Sequence, residues 1–312
     1  MRRGLAGALA GIIMALAHGA ALASNRLSDV DVREPTLKVD RAGYALVEYT
    51  LASGARRHVY VWGATDARRP QAGVRQVRLR FDYAGGYRLF GSALAWTRFP
   101  NTCRPYDGPP LAYFVAGCKA PDGSYWALQA WQRNLPLLGF APWLPSQAAT
   151  ELHVSHWRGP LAELEVHTNW TYGEFVGLFG RLTYAGSPVY GFGSTRAGNP
   201  HDSYGRNVYI DTCDSSYGPG WAREAGILLH SPTGTFCHSF VPRRPGSGYP
   251  SAELRPPAPG TRFRVTVIGP GVTPDVEWEG GGLGRYNREA DAGANAIFDG
   301  LMAGDARCAP ER

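Results

Sequence analysis

Leu161-Ala-Glu-Leu-Glu-Val-His-Thr-Asn-Trp-Thr-Tyr172 decides the fold class of this 312-residue chain. Successive side chains of an extended chain point to opposite sides, so Leu164, Val166, Thr168 and Trp170 share one face and Glu163, Glu165, His167 and Asn169 the other. Residues 74–83 repeat the pattern, with Val77, Leu79, Phe81 and Tyr83 opposed to Gln76, Arg78, Arg80 and Asp82. Shorter strand patterns follow at 44–51, 58–62, 125–133, 151–157, 180–184, 188–192, 207–212, 227–230, 235–240 and 262–268. Ser231-Pro-Thr-Gly234 stands between two of them and reads as a hairpin turn. The 40 glycines and 24 prolines fit many turns rather than long helices. The expectation is an all-β fold, a sandwich or jelly-roll-like domain, with a C-terminal α-helix. That helix is carried by Ala290, Ala294, Ile297, Phe298, Leu301 and Met302 on one 3.6-period face, with Gly304 as its cap. A second short helix is expected near 111–116, and a long surface loop over the Pro/Gly/Ser-rich residues 242–260.

Outward from that core pattern, the N-terminus reads as an export signal. Arg2 and Arg3 precede an apolar run, and Ala21-Leu-Ala23 supplies a small-x-small cleavage site, so residues 1–23 are assigned as signal peptide. Residues 24–312 then form one β-rich secreted domain, with a possible subdivision near 100. No later segment reaches the roughly 18 consecutive apolar residues of a membrane span. The two leader arginines contribute to a formal charge of +6, and what remains is mild. It admits an acidic ligand without demanding one. Nucleic acid is excluded as a partner because no basic run is interleaved with aromatics. Of the 32 basic residues only Lys38 and Lys119 are lysines.

Cys103 and Cys118 bracket a Pro/Gly-rich loop and are expected to pair, as befits an oxidising compartment. Cys213, Cys237 and Cys308 leave one thiol over. Cys237 with Cys308 is the favoured pair, and Cys213 with Cys237 the rival.

The phrases Cys103-Arg-Pro-Tyr-Asp-Gly-Pro, Asp122-Gly-Ser-Tyr-Trp-Ala-Leu-Gln, Ser155-His-Trp and Gly205-Arg-Asn-Val-Tyr-Ile-Asp-Thr resemble a set of uncharacterised secreted bacterial proteins. The resemblance runs over most of the chain after the leader. It implies export and a single family unit, and it carries no activity.

The densest polar stretch is 196–221, ending on Trp221. Arg196, Asn199, Asp202, Tyr204, Arg206, Asn207, Asp214 and Tyr217 are the candidate ligand-binding residues, and His201, Tyr209 and Asp211 the candidate catalytic ones. Aromatic rings stack on the apolar faces of sugars, Asn and Asp bond hydroxyls, and Arg pairs with carboxylates. A His or Tyr serves as base in a lyase, with Arg neutralising the developing charge. The same letters also build Asx-turns in surface loops. On the strand 207–212, Val208 and Ile210 are expected to face the core. Tyr209 and Asp211 should then point into solvent or a cleft. The function expected is binding of an extracellular glycan, with a polysaccharide lyase or glycosidase on the same face, or a structural envelope protein, as alternatives. No cofactor and no metal is assigned. Asp211 with Asp214 lacks the oxygen spacing of a calcium loop. His153 and His156, three apart on a strand, point to opposite faces and suit no shared ion. Glu163 and Glu165 with His167 offer a carboxylate pair beside an acid/base group, on a face that solvation alone explains.

Overall fold

The computed structural model describes residues 25–71, 74–133, 149–171, 175–189, 206–215, 218–229, 233–240, 260–282 and 287–303. Among the described residues, alternating stretches come out as strands, all paired antiparallel, in four sheets that pack as two sandwiches. The first sandwich opposes two sheets. One has the order β2 (Arg33–Val39), β3 (Ala45–Thr50), β4 (Arg56–Gly63) and β5 (Leu79–Asp82). The other runs β1 (Asn25–Val30), β9 (Thr150–Trp157), β8 (Tyr125–Gln132), β7 (Phe114–Lys119) and β6 (Arg104–Pro105). Val47, Tyr49, Val59 and Val61 meet Leu27, Trp126, Leu128, Leu152 and Val154 between them. The Cys103–Cys118 disulfide closes the β6 edge.

The second sandwich has one sheet of β10 (Glu163–Thr171), β11 (Phe175–Tyr184) and β12 (Ser187–Pro188), with β15 (Thr235–Phe240) on β11. Its other sheet has the order β14 (Gly218–Ile227), β13 (Val208–Ser215), β16 (Arg262–Val267) and β17 (Val276–Gly281). Leu178, Leu182 and Phe236 fill its core against Val208, Ile210, Phe263 and Val265. Gly180 belongs to that packing: a Cβ there would stand 2.0 Å from the Glu165 carbonyl and 2.9 Å from the Phe236 ring.

α2 (Arg288–Met302) lies outside β11, with Phe298 and Met302 on Phe179. Its first turn is capped by Asn287, whose Oδ1 accepts from the amides of Glu289 at 2.9 Å and Ala290 at 3.2 Å. Asn287→Ala should cost about 1 kcal/mol of stability, read as a lower urea midpoint at unchanged slope. An unchanged midpoint would show that this helix end needs no cap.

The two sandwiches are tied by residues between β16 and β17. This segment leaves the second sandwich and enters the first: Val272 joins the first core, its carbonyl accepting from the His156 amide at 2.8 Å. Asn25 Nδ2 donates to the Gly271 carbonyl at 3.0 Å. The first sandwich is thus completed by the last third of the chain.

Several expectations are corrected. The change of core falls between β9 and β10, not near residue 100, which lies inside the first sandwich. Residues 114–116 are not helical but open β7, where a bulge between Phe114 and Ala116 spoils the alternation that marks a strand. Of residues 74–83 only Leu79–Asp82 is strand. Ser231-Pro-Thr-Gly234 does not join a hairpin, because β14 pairs with β13 while β15 pairs with β11 in the other sheet. Cys237 is disulfide-bonded and Cys213 is free, which removes the Cys213–Cys237 pairing. Residues 1–24, the favoured partner Cys308, the cap Gly304 and most of the 242–260 loop lie outside the described residues.

Candidate functional site

The alternation of β13 has the direction expected of it, and a second layer covers what it turns outward. Val208 and Ile210 enter the second core, while Tyr209 and Asp211 point to the opposite face. That face is no open hollow there. Tyr209 is fully buried and Asp211 is 2 % exposed, because the first sandwich lies across this end of the sheet. Trp131 of β8 meets the Tyr209 ring edge-on at 5.1 Å and stacks on Tyr113 at 5.7 Å. The Tyr209 hydroxyl donates to the Arg206 carbonyl at 3.3 Å. Asp211 is bonded to Arg223 of β14 and to Arg264 of β16, the latter through Nε at 3.2 Å and Nη2 at 3.0 Å. Burial alone would push its carboxyl up. The guanidinium groups of Arg223 and Arg264 outweigh that and hold it below the usual carboxylate range. Neither Tyr209 nor Asp211 has a surface on which to meet a substrate, so the catalytic roles expected of them are corrected to structural ones.

The remaining expected residues divide. Asn207 is fully buried, its Oδ1 accepting from the Leu229 amide at 2.9 Å. It pins two chain segments rather than a ligand. Asp214 takes a left-handed backbone (φ 54°), and its Oδ1 accepts from the Gly220 amide at 2.8 Å, closing the β13–β14 turn. Arg206 is half-buried. Arg196, Asn199, His201, Asp202, Tyr204 and Tyr217 lie outside the described residues.

Behind Tyr209 lies a second polar cluster that the sequence reading did not assemble. Asp275 Oδ1 accepts from the Gly269 amide at 3.0 Å, and its Oδ2 from Trp131 Nε1 at 2.9 Å. The same Oδ2 stands 2.5 Å from His153 Nδ1. On the other side of the ring, His153 Nε2 is 3.4 Å from Glu151, which also pairs with Arg26 at 2.6 Å and Arg133 at 3.5 Å. Burial disfavours the Glu151 charge, yet His153, Arg133 and Arg26 bring its carboxyl down to about 2. Asp275 is likewise held low, against its burial, by His153, Arg133 and the Trp131 N–H. Glu151, His153 and Asp275 are each at most 2 % exposed. These bonds form a buried polar network, the mortar between the sandwiches.

Strand register leads from this buried end to an open one. Tyr209, Thr266 and Glu277 lie in one row across β13, β16 and β17; Arg223, Asp211, Arg264 and Glu279 in the next; Trp221, Cys213, Arg262 and Gly281 in the last. Rings and guanidinium groups alternate along the way. Arg223 lies 5.0 Å from the Tyr209 ring centre and 5.9 Å from that of Trp131. Arg264 sits between Tyr113 at 5.4 Å and Trp221 at 4.4 Å, and Arg262 is 5.4 Å from Trp221. Exposure rises along the series, from 3 % for the Asp211 side chain through 18 % for Arg264 to 53 % for Arg262. Arg262 pairs with Glu279, and Arg264 Nε stands 3.7 Å from Glu277. Glu277 also lines a cleft of about 400 Å³ between the sandwiches, walled by Pro110, Leu111, Leu161 and Leu164. This half-open shelf is the candidate site.

Other expected clusters behave as surface or core. His153 and His156 do turn to opposite sides of β9, the first to Asp275 and the second onto the Trp126 ring at 3.9 Å. Trp126 and Trp131 likewise face opposite sides of β8, one in the first core and one between the sandwiches. Glu165 bonds His167 at 3.0 Å and Arg181 at 2.9 Å on a half-exposed strand face. Compared with known proteins, the chain matches no family model, no curated protein and no solved structure.

Proposed function

We propose that this chain is an exported carbohydrate-binding protein whose site is the open end of the β14–β13–β16–β17 sheet together with the adjoining cleft. The supporting observation is the Trp221 ring set among Arg262, Arg264, Glu277 and Glu279 on one half-open face. An indole offers an apolar face to the C–H side of a sugar ring. Guanidinium and carboxylate groups that already hold one another keep a fixed geometry, and each has donors or lone pairs to spare for hydroxyls. Arg223, Arg262 and Arg264 are matched by Asp211, Glu277 and Glu279, so the face suits a neutral, hydroxyl-rich ligand over a polyuronate. The leader-like N-terminus and the Cys103–Cys118 bond support an extracytoplasmic setting. A lyase or glycosidase working through Tyr209 or Asp211 draws no support from their burial.

A glycan array covering cell-wall, plant and algal saccharides should give hits. Trp221→Ala and Arg262→Ala should each weaken them at least tenfold, with the thermal midpoint kept, while Arg181→Ala on the far sheet should leave them intact. A blank array, or hits indifferent to both site variants, would remove this reading.

A further inference from the structure

Between β5 and β6 the chain makes an excursion over the outer face of the β2–β5 sheet, through α1 (Tyr87–Phe90) and a 3-10 turn (Ala95–Arg98). Part of it is cover. Phe90 packs edge-on to Tyr60 at 5.3 Å and to Tyr44 at 5.9 Å, and Trp96 stacks on His58 at 3.6 Å. Gly86, at φ +100°, lets the two turns close on each other, since a Cβ there would stand 2.7 Å from that of Ala95.

The rest of it faces outward. Tyr87 is 60 % exposed, Phe90 52 % and Leu94 64 %, the three most exposed large apolar side chains among the described residues. Tyr87 and Phe90, three apart on one helical turn, share a face. Single exposed apolar residues are ordinary; three on one 8-residue stretch make a patch. Within the excursion itself the charge has one sign; Asp82 at its foot is buried and takes up the Ala84 and Arg88 amides, and Asp40 adjoins Arg41. Residues 83–106 contain Arg88, Arg98 and Arg104 and no acidic residue. Arg41, beside Tyr44, and Arg80, opposite Trp62 on the same sheet face, are exposed as well. Among the described residues, Arg41, Arg80, Arg88 and Arg98 are in no ion pair.

We infer that this excursion is an interfacial anchor that seats the protein on an anionic phospholipid surface. Tyr87, Phe90 and Leu94 enter the headgroup–acyl boundary, and Arg41, Arg80, Arg88 and Arg98 meet lipid phosphates around them. Apolar insertion and cationic attraction act together in such anchors, and neither suffices alone. An aromatic belt with arginines is the composition that boundary selects. The anchor lies on the first sandwich and does not rest on the saccharide reading of the second.

Vesicle co-sedimentation of the full chain tests it. Phosphatidylglycerol–phosphatidylethanolamine vesicles should retain the protein, and retention should fall steeply with salt. Pure phosphatidylcholine vesicles should bind it at least tenfold less. Phe90→Ser with Leu94→Ser should weaken binding tenfold or more. Arg88→Gln with Arg98→Gln should weaken it about 25-fold, at roughly fivefold per charge near the surface, and flatten the salt dependence. Because Phe90 also packs inward, brominated lipid supplies a second measurement on the unaltered protein. Its tryptophan emission should be quenched, and Tyr87→Ser should lessen the quenching. No retention on anionic vesicles, equal retention of all variants, or a self-associating species that Phe90→Ser dissolves in the absence of lipid would each overturn the proposal.

Discussion

Asp275→Ala is expected to lower the stability of the folded chain by about 3–5 kcal/mol, the usual cost of stripping one partner from a buried ion network. The alanine leaves the Gly269 amide and the Trp131 indole N–H without their acceptor, takes away the partner of His153 Nδ1, and leaves Arg133 with Glu151 as its remaining counter-charge. Asp275 also stands where its backbone is gripped. Its amide donates to Gln129 Oε1 at 2.9 Å, and its carbonyl accepts from Gln129 Nε2 at 2.9 Å. Guanidinium unfolding at pH 7 gives the number. Asp275→Asn, which keeps one acceptor oxygen but loses the charge and turns an NH2 toward the other donors, should fall between wild type and alanine. A loss under 1 kcal/mol for the alanine variant would mean that this network holds nothing together.

Acid should lower the stability of the chain across two pH windows. Burial depresses the His156 imidazole from its ordinary 6.5 to about 4, the Ala64 carbonyl opposing this only in part. The folded state thus keeps a neutral ring while the unfolded state takes up a proton. Stability from this site is complete above pH 6.5 and is lost as pH falls toward 4, about 3 kcal/mol in all. Glu151, at about 2 against an ordinary 4.5, acts in the next window. Its contribution is complete above pH 4.5 and is lost on the way down to 2, again about 3 kcal/mol. Denaturation midpoints measured from pH 7 to 3 should decline across both windows. His156→Gln should flatten the upper one alone, since glutamine does not titrate. A wild-type midpoint level from pH 6.5 to 4.5 would contradict the burial of a neutral ring.

Much of the fold was legible because period-two patterning survives wherever a strand is regular. Glu163–Thr171 is such a case. It failed where geometry breaks the period. β14 carries a bulge opposite Ile210 and Asp211 and opens on Gly-Pro-Gly; β2 is interrupted between Arg33 and Thr36. The site was legible only in its direction. Alternation says that Tyr209 and Asp211 turn away from Val208 and Ile210, and they do. It cannot say that Trp131 and Tyr113, some 80 to 100 positions earlier, will be laid over them, because nothing local records a partner in another layer. What stays open lies at Arg264, in the row of Asp211, and one row along at Arg262 and at Trp221, the last residue of the polar stretch. Those arginines sit in an ordinary alternating strand, and only sheet pairing brings them beside Trp221.

The insertion of Val272 into the first core also orders events in time. A ribosome making about 5–20 residues per second reaches Val272 several seconds to some tens of seconds after Trp157. Until then the early half of the chain lacks one side chain of its core and the carbonyls that accept from His156 and Asn25. A chain cut at the boundary between the cores should therefore be less stable than the whole, because its first core keeps a gap where Val272 belongs.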